Sequence, residues 1–287
     1  MYTIKKKSIL NSFVTEMHIE APLIARSAKA GQFVIIRALS DSERIPLTVA
    51  GTDAQLGTVR IIFQTVGEGT LELARLSEGE CVADIAGPLG RATETEGITR
   101  ALVVGGGVGA AIALPIAKKL FAEGCEVDTV VGFRTEELVI LEDEFSAVSK
   151  SFTLVTDDGT RGERGNVCMP IARMLAEGKR YDRIFAIGPL VMMKFVTETA
   201  RPYSIPVTVS MNPIMIDGTG MCGGCRIALV KDGKRYTRFA CVDGPEFDGY
   251  EVDFDSAISR GGAYRDFERH RYTEACNLLN SGGNDVK

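Results

Sequence analysis

The sequence predicts three parts in order: an antiparallel β-barrel, a parallel-sheet α/β domain and a small Cys-bearing C-terminal module. Three changes of texture along the chain predict it. Residues 1–97 read as short strands broken by Gly and polar turns, strand and helix alternate from 98, and Gly and Cys gather from 209. The chain has 287 residues, 45% of them hydrophobic and 25% charged, which suits two ordinary domains with one small addition.

In the first part, GQFVIIRAL (31–39), LTVAGT (47–52), GTVRIIFQTV (57–66) and ECVADIAGPLG (80–90) have strand composition. Only GTLELARLSEG (69–79) has a helical pattern there, so a small barrel with one capping helix is expected over 1–97. The second part, 98–208, opens with the apolar strand ITRALVVGGG. A helix of about 14 residues follows, closed by Gly124. Further buried strands are expected at 125–134, 151–159 and 181–189. MPIARMLAEG supplies a helix between the last two, with Pro170 near its first turn. The third part, 209–255, holds a hairpin turn at KDGK (231–234). The remainder, 256–287, reads as a tail with a helix around Ala263 to Leu279 before the polar SGGNDVK.

Acidic residues number 38 against 33 basic, a formal charge of -5, and no Lys/Arg cluster offers the cationic face that nucleic acid requires. No apolar stretch reaches the roughly 18 residues of a membrane span. The basic run in MYTIKKKSIL has no apolar segment or cleavage site behind it, so a cytoplasmic protein is expected.

Of seven Cys, three lie between 222 and 241, and that cluster favours a metal centre over a disulfide framework. Cys222 and Cys225 are spaced C-x2-C, Cys241 follows, and Asp217 stands five residues before Cys222. The set Asp217, Cys222, Cys225 and Cys241 has the spacing of a plant-type [2Fe–2S] loop with Asp in the first Cys position. Gly218, Gly220, Gly223 and Gly224 let the loop wrap an anionic core and point amides at it. A structural zinc site on the same residues and unligated cysteines are the alternatives. Asp243 and Asp232 compete with Asp217 as fourth ligand but lack the loop spacing.

The run GGGVGAA (105–111) sits at a strand-to-helix junction, where absent side chains let a backbone approach a pyrophosphate. Gly105, Gly107 and Ala110 give a permissive GxGxxA pattern, and a tight packing turn is the bland alternative. The acidic residue that commonly follows about 20 positions on is missing, and the next strand ends in Gly132-Phe133-Arg134. With only His18, in an expected barrel strand, and His270, in the tail, no Ser–His–Asp arrangement can be built, which disfavours a hydrolase.

Barrel, nucleotide domain and cluster loop in this order resemble the ferredoxin reductase-like flavoproteins. Within them the chain is similar to the electron-transfer subunit of dihydroorotate dehydrogenase, and more so to the small (alpha) subunit of NADH-dependent reduced ferredoxin:NADP oxidoreductase. DGTGMCGGCR with Cys241-Val242-Asp243-Gly244-Pro245 is the most specific part of a resemblance spanning about residues 3 to 255. Asp217 marks a departure from the dihydroorotate type, whose loop has four Cys.

The resemblance implies FAD on the barrel, NAD(H) on the α/β domain, with NADP(H) as a second possibility, and a [2Fe–2S] cluster on the loop. It implies that Arg44-Ile45-Pro46-Leu47-Thr48 is the flavin motif. Thr48 would lie near the flavin N5, the backbone of Pro46 and Leu47 would line the cofactor, and Arg44 would reach its pyrophosphate. The motif's Arg normally stands three residues before the Ser/Thr, where this chain has Ile45. Thr65, Gly67, Gly69 and Thr70 match a second phosphate-binding turn, and Gly105, Gly107 and Gly109 the pyridine-nucleotide turn. Arg134 and Asp157 would hold the adenosine portion. Gly188-Pro189 with Met192 match a CGP-x-x-M signature in which Ile187 replaces the Cys.

A flavin is required because NAD(P)H gives a hydride while a [2Fe–2S] centre accepts single electrons. Thr48 is the one side chain expected to take part at the reacting atoms. The resemblance further implies a larger flavin and iron–sulfur catalytic partner, with ferredoxin reached through the complex, and electron bifurcation as the coupled process. Rival readings are the dihydroorotate dehydrogenase subunit, a stand-alone NAD(P)H reductase for ferredoxin or sulfur compounds, and a zinc-bound structural subunit.

Overall fold

The structure is a computed structural model, and it describes residues 2–262 and Thr273. Seven strands form the first sheet: β1 (Tyr2–Asn11), β2 (Val14–Glu20), β3 (Phe33–Arg37), β4 (Arg44–Asp53), β5 (Thr58–Gln64), β6 (Cys81–Val82) and β7 (Asp84–Leu89). They pair antiparallel in the order β6-β1-β2-β5-β4-β3-β7. The two edge strands are separated in sequence by Ala83 alone, so the sheet must curl until its edges nearly meet. Val34, Ile36, Ile61, Phe63 and Leu73 fill the interior. Two helices accompany the sheet, α1 (Pro22–Ser27) and α2 (Glu68–Arg75), where one was expected. The extra one is six residues long, too short for periodicity to reveal, and Pro22 opens it.

The second sheet begins with β8 (Arg100–Gly106), α3 (Gly109–Ala122), β9 (Glu126–Phe133), α4 (Glu142–Ala147), β10 (Ser151–Thr156) and β11 (Glu163–Arg164). It continues with α5 (Cys168–Ala176), β12 (Arg183–Ile187), α6 (Leu190–Ala200) and β13 (Val207–Ser210). The last elements are β14 (Arg226–Lys231), β15 (Lys234–Phe239), β16 (Glu246–Asp248) and α7 (Phe254–Gly262). The order β11-β10-β9-β8-β12-β13-β16 is parallel throughout except for the final antiparallel pair. The chain leaves β8 toward β9 and later returns on its other side at β12. The carboxyl ends of β8 and β12 therefore flank a topological switch point, where open α/β sheets leave a crevice.

β13 runs across position 209, and β16 adds a strand from the Cys-bearing segment to the nucleotide-type sheet. The segment is thus built into the sheet. β14 and β15 form the hairpin expected at KDGK, with Asp232 at φ 50° and Gly233 at φ 73°, the paired left-handed residues that a two-residue hairpin needs. The expected tail helix from Ala263 to Leu279 lies, apart from Thr273, outside the described residues, as does His270. Among the described residues no helix is long and apolar enough to cross a membrane.

One apolar core runs from Phe33 and Ile35 of the barrel through Leu102, Val104 and Ala186 of the parallel sheet to Cys225, Cys241 and Phe254. A second joins Val14, Ala50 and Ile62 of the barrel to α3. Polar groups reinforce the second junction. Arg60 on β5 donates to Glu16 at 2.6 Å and to Glu144 at 2.8 Å, and Lys118 adds a 2.6 Å contact to Glu144. His18 bonds Glu16 within this cluster, which gives it a structural part. Deeper in the sheet, Tyr181 and Lys179 both donate to the buried Asp128 at 2.7 Å.

Two outcomes follow from this packing. Burial alone would raise the Glu144 carboxyl, but hydrogen bonds and charge from Arg60 and Lys118 outweigh it and hold the group down at about 2. A carboxyl depressed on folding adds stability that is complete above its ordinary 4.5 and is lost as pH falls toward 2. Denaturant unfolding of wild type and Glu144→Gln at pH 6 and pH 3 should show a gap that narrows in acid. At the first junction, a Cβ on Gly218 would stand 2.6 Å from Leu89 Cδ1 and 2.9 Å from Ile35 Cδ1, at φ +77°. Gly218→Ala should cost about 2–3 kcal/mol in thermal unfolding. Gly223→Ala, also at positive φ but with its nearest contact at 3.9 Å, should cost about 1 kcal/mol.

Candidate functional site

A cavity of about 830 Å³ opens where the switch point of the parallel sheet faces the barrel. Phe33, Pro46, Leu47, Thr48 and Gln64 line it from the barrel, and Gly106 to Gly109, Gly188, Pro189 and Met192 from the ends of β8 and β12. Arg134 and Asp157 line it from the ends of β9 and β10. The segment from Ser210 to Met215, with Pro245, closes the remaining side.

The glycines at the sheet end divide into two kinds. Gly107 has φ +55° and nothing within 4 Å of a notional Cβ, so its backbone is open to the cavity. Gly109 is required by packing, because a Cβ there would stand 2.6 Å from the Ile187 carbonyl oxygen. Gly105 does not line the cavity. A Cβ on it would lie 2.9 Å from Ala110 Cα, so it serves the close approach of α3 to β8. Met192 fills the space above Gly106 and Gly188, either of which would strike it with any side chain. These three with Pro189 form a fixed floor.

On the barrel side, Thr48 lies opposite Phe33 in the β3–β4 register, and both reach the cavity. Arg44 does not reach it. It is at the exposed start of β4, with a guanidinium nitrogen 4.0 Å from Asp84. Lining of the cavity by β4 begins only at the next residue, Ile45, and runs on to Thr48. The Thr70 hydroxyl accepts from the Val66 and Gly67 amides, each at 3.0 Å, and so caps α2. Thr65, Gly67 and Gly69 stand in or beside that cap and do not line the cavity, although Thr70 does. The Gly69 amide donates to the Glu43 carboxylate at 3.1 Å. An anionic oxygen resting there shows that the start of α2 accepts negative charge, which suits a phosphate group.

In the cysteine loop, Cys225 and Cys241 are buried with their sulfurs 3.1 Å apart. Burial first, and then the Cys225 thiol, push Cys241 up to about 12. Cys222 is exposed. Its amide donates at 2.8 Å to the Asp217 carboxylate, which also accepts from Thr219 at 2.7 Å. The Thr219 amide, helped by that of Cys222, holds the Asp217 carboxyl below its usual range. Of the four predicted ligands, Cys225 and Cys241 thus meet through their sulfurs, while Asp217 is tied to Cys222 through the backbone amide. Among the described residues no group of three or more His, Cys, Asp or Glu is gathered to hold an ion, and Asp217 spends both oxygens on its own loop. Three thiols and a carboxylate are a donor set that an iron–sulfur centre accepts. The competing carboxylates are placed otherwise: Asp243 accepts from the Phe239 amide and Asp232 sits in the hairpin turn.

Several cavity residues escaped the sequence reading. Of its polar side chains, Asn11, Thr70 and Asn166 are committed to backbone groups, whereas Thr48, Gln64, Arg134, Asp157, Ser210 and Asn212 have no partner among the described residues. Gln64, Ser210 and Asn212 belong to no motif, and only the period-2 alternation at strand ends could have pointed to them.

Comparison with known proteins agrees with this arrangement. Residues 212–253 match the iron–sulfur cluster binding domain of dihydroorotate dehydrogenase B. The Thermotoga maritima dihydroorotate dehydrogenase B (NAD(+)), electron transfer subunit homolog is 44% identical over 94% of this chain and 93% of its own. The Bacillus caldolyticus dihydroorotate dehydrogenase B (NAD(+)), electron transfer subunit is 32% identical over 87% of this chain and 96% of its own. A chain of the NADH-dependent reduced ferredoxin-NADP oxidoreductase, solved for insight into flavin-based electron bifurcation, is 42% identical. It aligns over 96% of this chain and 97% of that one with a TM-score of 0.88. These likenesses support FAD, NAD(H) and a [2Fe–2S] cluster as the cofactors. The chain is an oxidoreductase subunit of the ferredoxin reductase-like fold, and it belongs to the family of dihydroorotate dehydrogenase B electron transfer subunits and their homologues.

Proposed function

We propose that the chain carries electrons between NAD(H) and a larger flavin and iron–sulfur catalytic subunit, through FAD and a [2Fe–2S] cluster. In this reading it is the small subunit of an NADH-dependent reduced ferredoxin:NADP oxidoreductase, working in electron bifurcation and meeting ferredoxin through the complex. The observation that carries it is a single cavity bounded by β4, by the open Gly107 turn and by a segment that continues directly into the cysteine loop.

Bound FAD supplies the conversion between a hydride and single electrons. The chain's own residues bind and orient. Pro46 and Leu47 line the barrel wall, and Thr48 offers an uncommitted hydroxyl to the flavin edge. The start of α2, now met by Glu43, takes a phosphate. The bare Gly107 backbone leaves room for the pyrophosphate of the nicotinamide dinucleotide, and Arg134 and Asp157 offer charge to its adenosine end. Gly188, Pro189 and Met192 set the floor beneath the reacting rings. Phe33, Met211 and Met215 form an apolar wall that excludes water between cavity and loop. Asp217, Cys222, Cys225 and Cys241 hold the cluster. The division into 1–97, 98–208 and 209–255 belongs to this reading, as does a tail, 256–287, that helps dock the partner.

Asp217 in the first ligand position and the full-length likeness to the bifurcating enzyme's chain favour this reading. The names of the relatives favour a second, the electron-transfer subunit of a dihydroorotate dehydrogenase. Co-purification of the partner separates them, since only the second requires a subunit that oxidises dihydroorotate.

Anaerobically purified protein should show flavin bands with a cluster shoulder, bleached by NADH in preference to NADPH. A colourless protein filled with zinc would overturn the redox reading. Asp217→Cys should retain the cluster and shift its reduction potential and electron paramagnetic signal, because thiolate is a softer donor than carboxylate. Unchanged signals would remove Asp217 from the ligand set.

A further inference from the structure

As the chain leaves β13, Ser210, Met211 and Asn212 all line the cavity, and Met211, 2% exposed, also belongs to the core. Ser210 and Asn212 are the two polar residues that the cavity receives at the end of this strand. Neither has a side-chain partner among the described residues, and Asn212 is exposed.

Their position along the sheet sets what they can meet. Arg134 and Asp157 mark the ends of β9 and β10, Gly107 follows β8, Gly188 follows β12, and Asn212 follows β13. In the order β10-β9-β8-β12-β13 these points form a row, with about 14 Å between β9 and β13 at ordinary strand spacing. A dinucleotide with its adenosine at Arg134 and Asp157 and its pyrophosphate at Gly107 brings its far ring to the β12–β13 end. The floor there is Gly188, Pro189 and Met192, which offers apolar surface. Asn212 and Ser210 bring the polar side chains of the adjacent strand. An Asn side chain presents an acceptor beside a donor, the complement of a carboxamide.

We propose that Asn212, assisted by Ser210, binds the carboxamide of the nicotinamide ring and so fixes which edge of the ring faces the barrel wall. The inference rests on the reading of this cavity as the NAD(H) site. Asn212 is in addition five residues from Asp217, so the group that orients the hydride donor lies on the same stretch of chain as the first cluster ligand.

The test uses the full-length, FAD-loaded protein and two ligands that deliver no hydride. One is 1,4,5,6-tetrahydro-NAD, and the other is ADP-ribose, which lacks the nicotinamide ring. Calorimetric titration of Asn212→Ala should show the tetrahydro-NAD Kd weakened about tenfold, the loss of a paired polar contact, with the ADP-ribose Kd unchanged. Ser210→Ala should show a smaller loss with the same selectivity. Equal losses for both ligands would make Asn212 a structural residue and overturn the inference, as would no loss for either or an effect confined to FAD retention. Wild-type protein that bound neither ligand would overturn the nucleotide reading itself, and this inference with it.

Discussion

The structure depends on one wedge: the segment after β13 is packed simultaneously against the barrel and the parallel sheet. β16 completes the sheet on β13, the Met211 amide donates to the Pro245 carbonyl at 2.9 Å, and the Arg91 amide donates to the Gly244 carbonyl at 2.7 Å. Thr93, in the strand-to-strand connection between barrel and sheet, donates to Glu246 at 2.6 Å. Gly218 then presses against Ile35 and Leu89 on the barrel. Remove that wedge and the cavity loses one wall, the cysteine loop loses its seat, and the first core loses its continuity.

Much of the architecture was legible because local chemistry and tertiary demand agree. The α3 helix is 14 residues long and stops before Gly124, and the KDGK hairpin forms where a two-residue turn was expected. Where they disagree, the sequence was mute. β16 has three residues and owes its existence to a free edge on β13 rather than to any propensity. α6, LVMMKFVTETA, carries an apolar run without clear periodicity, so its helical state comes from packing against the sheet and α5.

The candidate site shows the same division. Motif residues are found where backbone shape is the requirement, as at Gly107, Gly109, Gly188 and Gly218. Gly105 shares the motif and the strand yet serves only helix packing, a distinction that spacing cannot draw. Arg44 reads as a phosphate ligand by neighbourhood, but it stands at the exposed start of β4, outside the cavity, and meets Asp84 instead. The polar cavity residues outside any motif, Gln64, Ser210 and Asn212, become visible only once the ends of β5 and β13 share one space. For the cluster loop, spacing proposed four donors, while the contact of the Cys225 and Cys241 sulfurs and the turn Asp217 makes with the Thr219 and Cys222 amides needed coordinates.

Gly218 has a further meaning. Its missing side chain lets the cysteine loop rest directly on Ile35 and Leu89 of the barrel, with a left-handed backbone at the point of contact. Under the function proposed above, a carrier held by that loop would be seated against the barrel, in contrast to designs in which a tethered module swings between donor and acceptor.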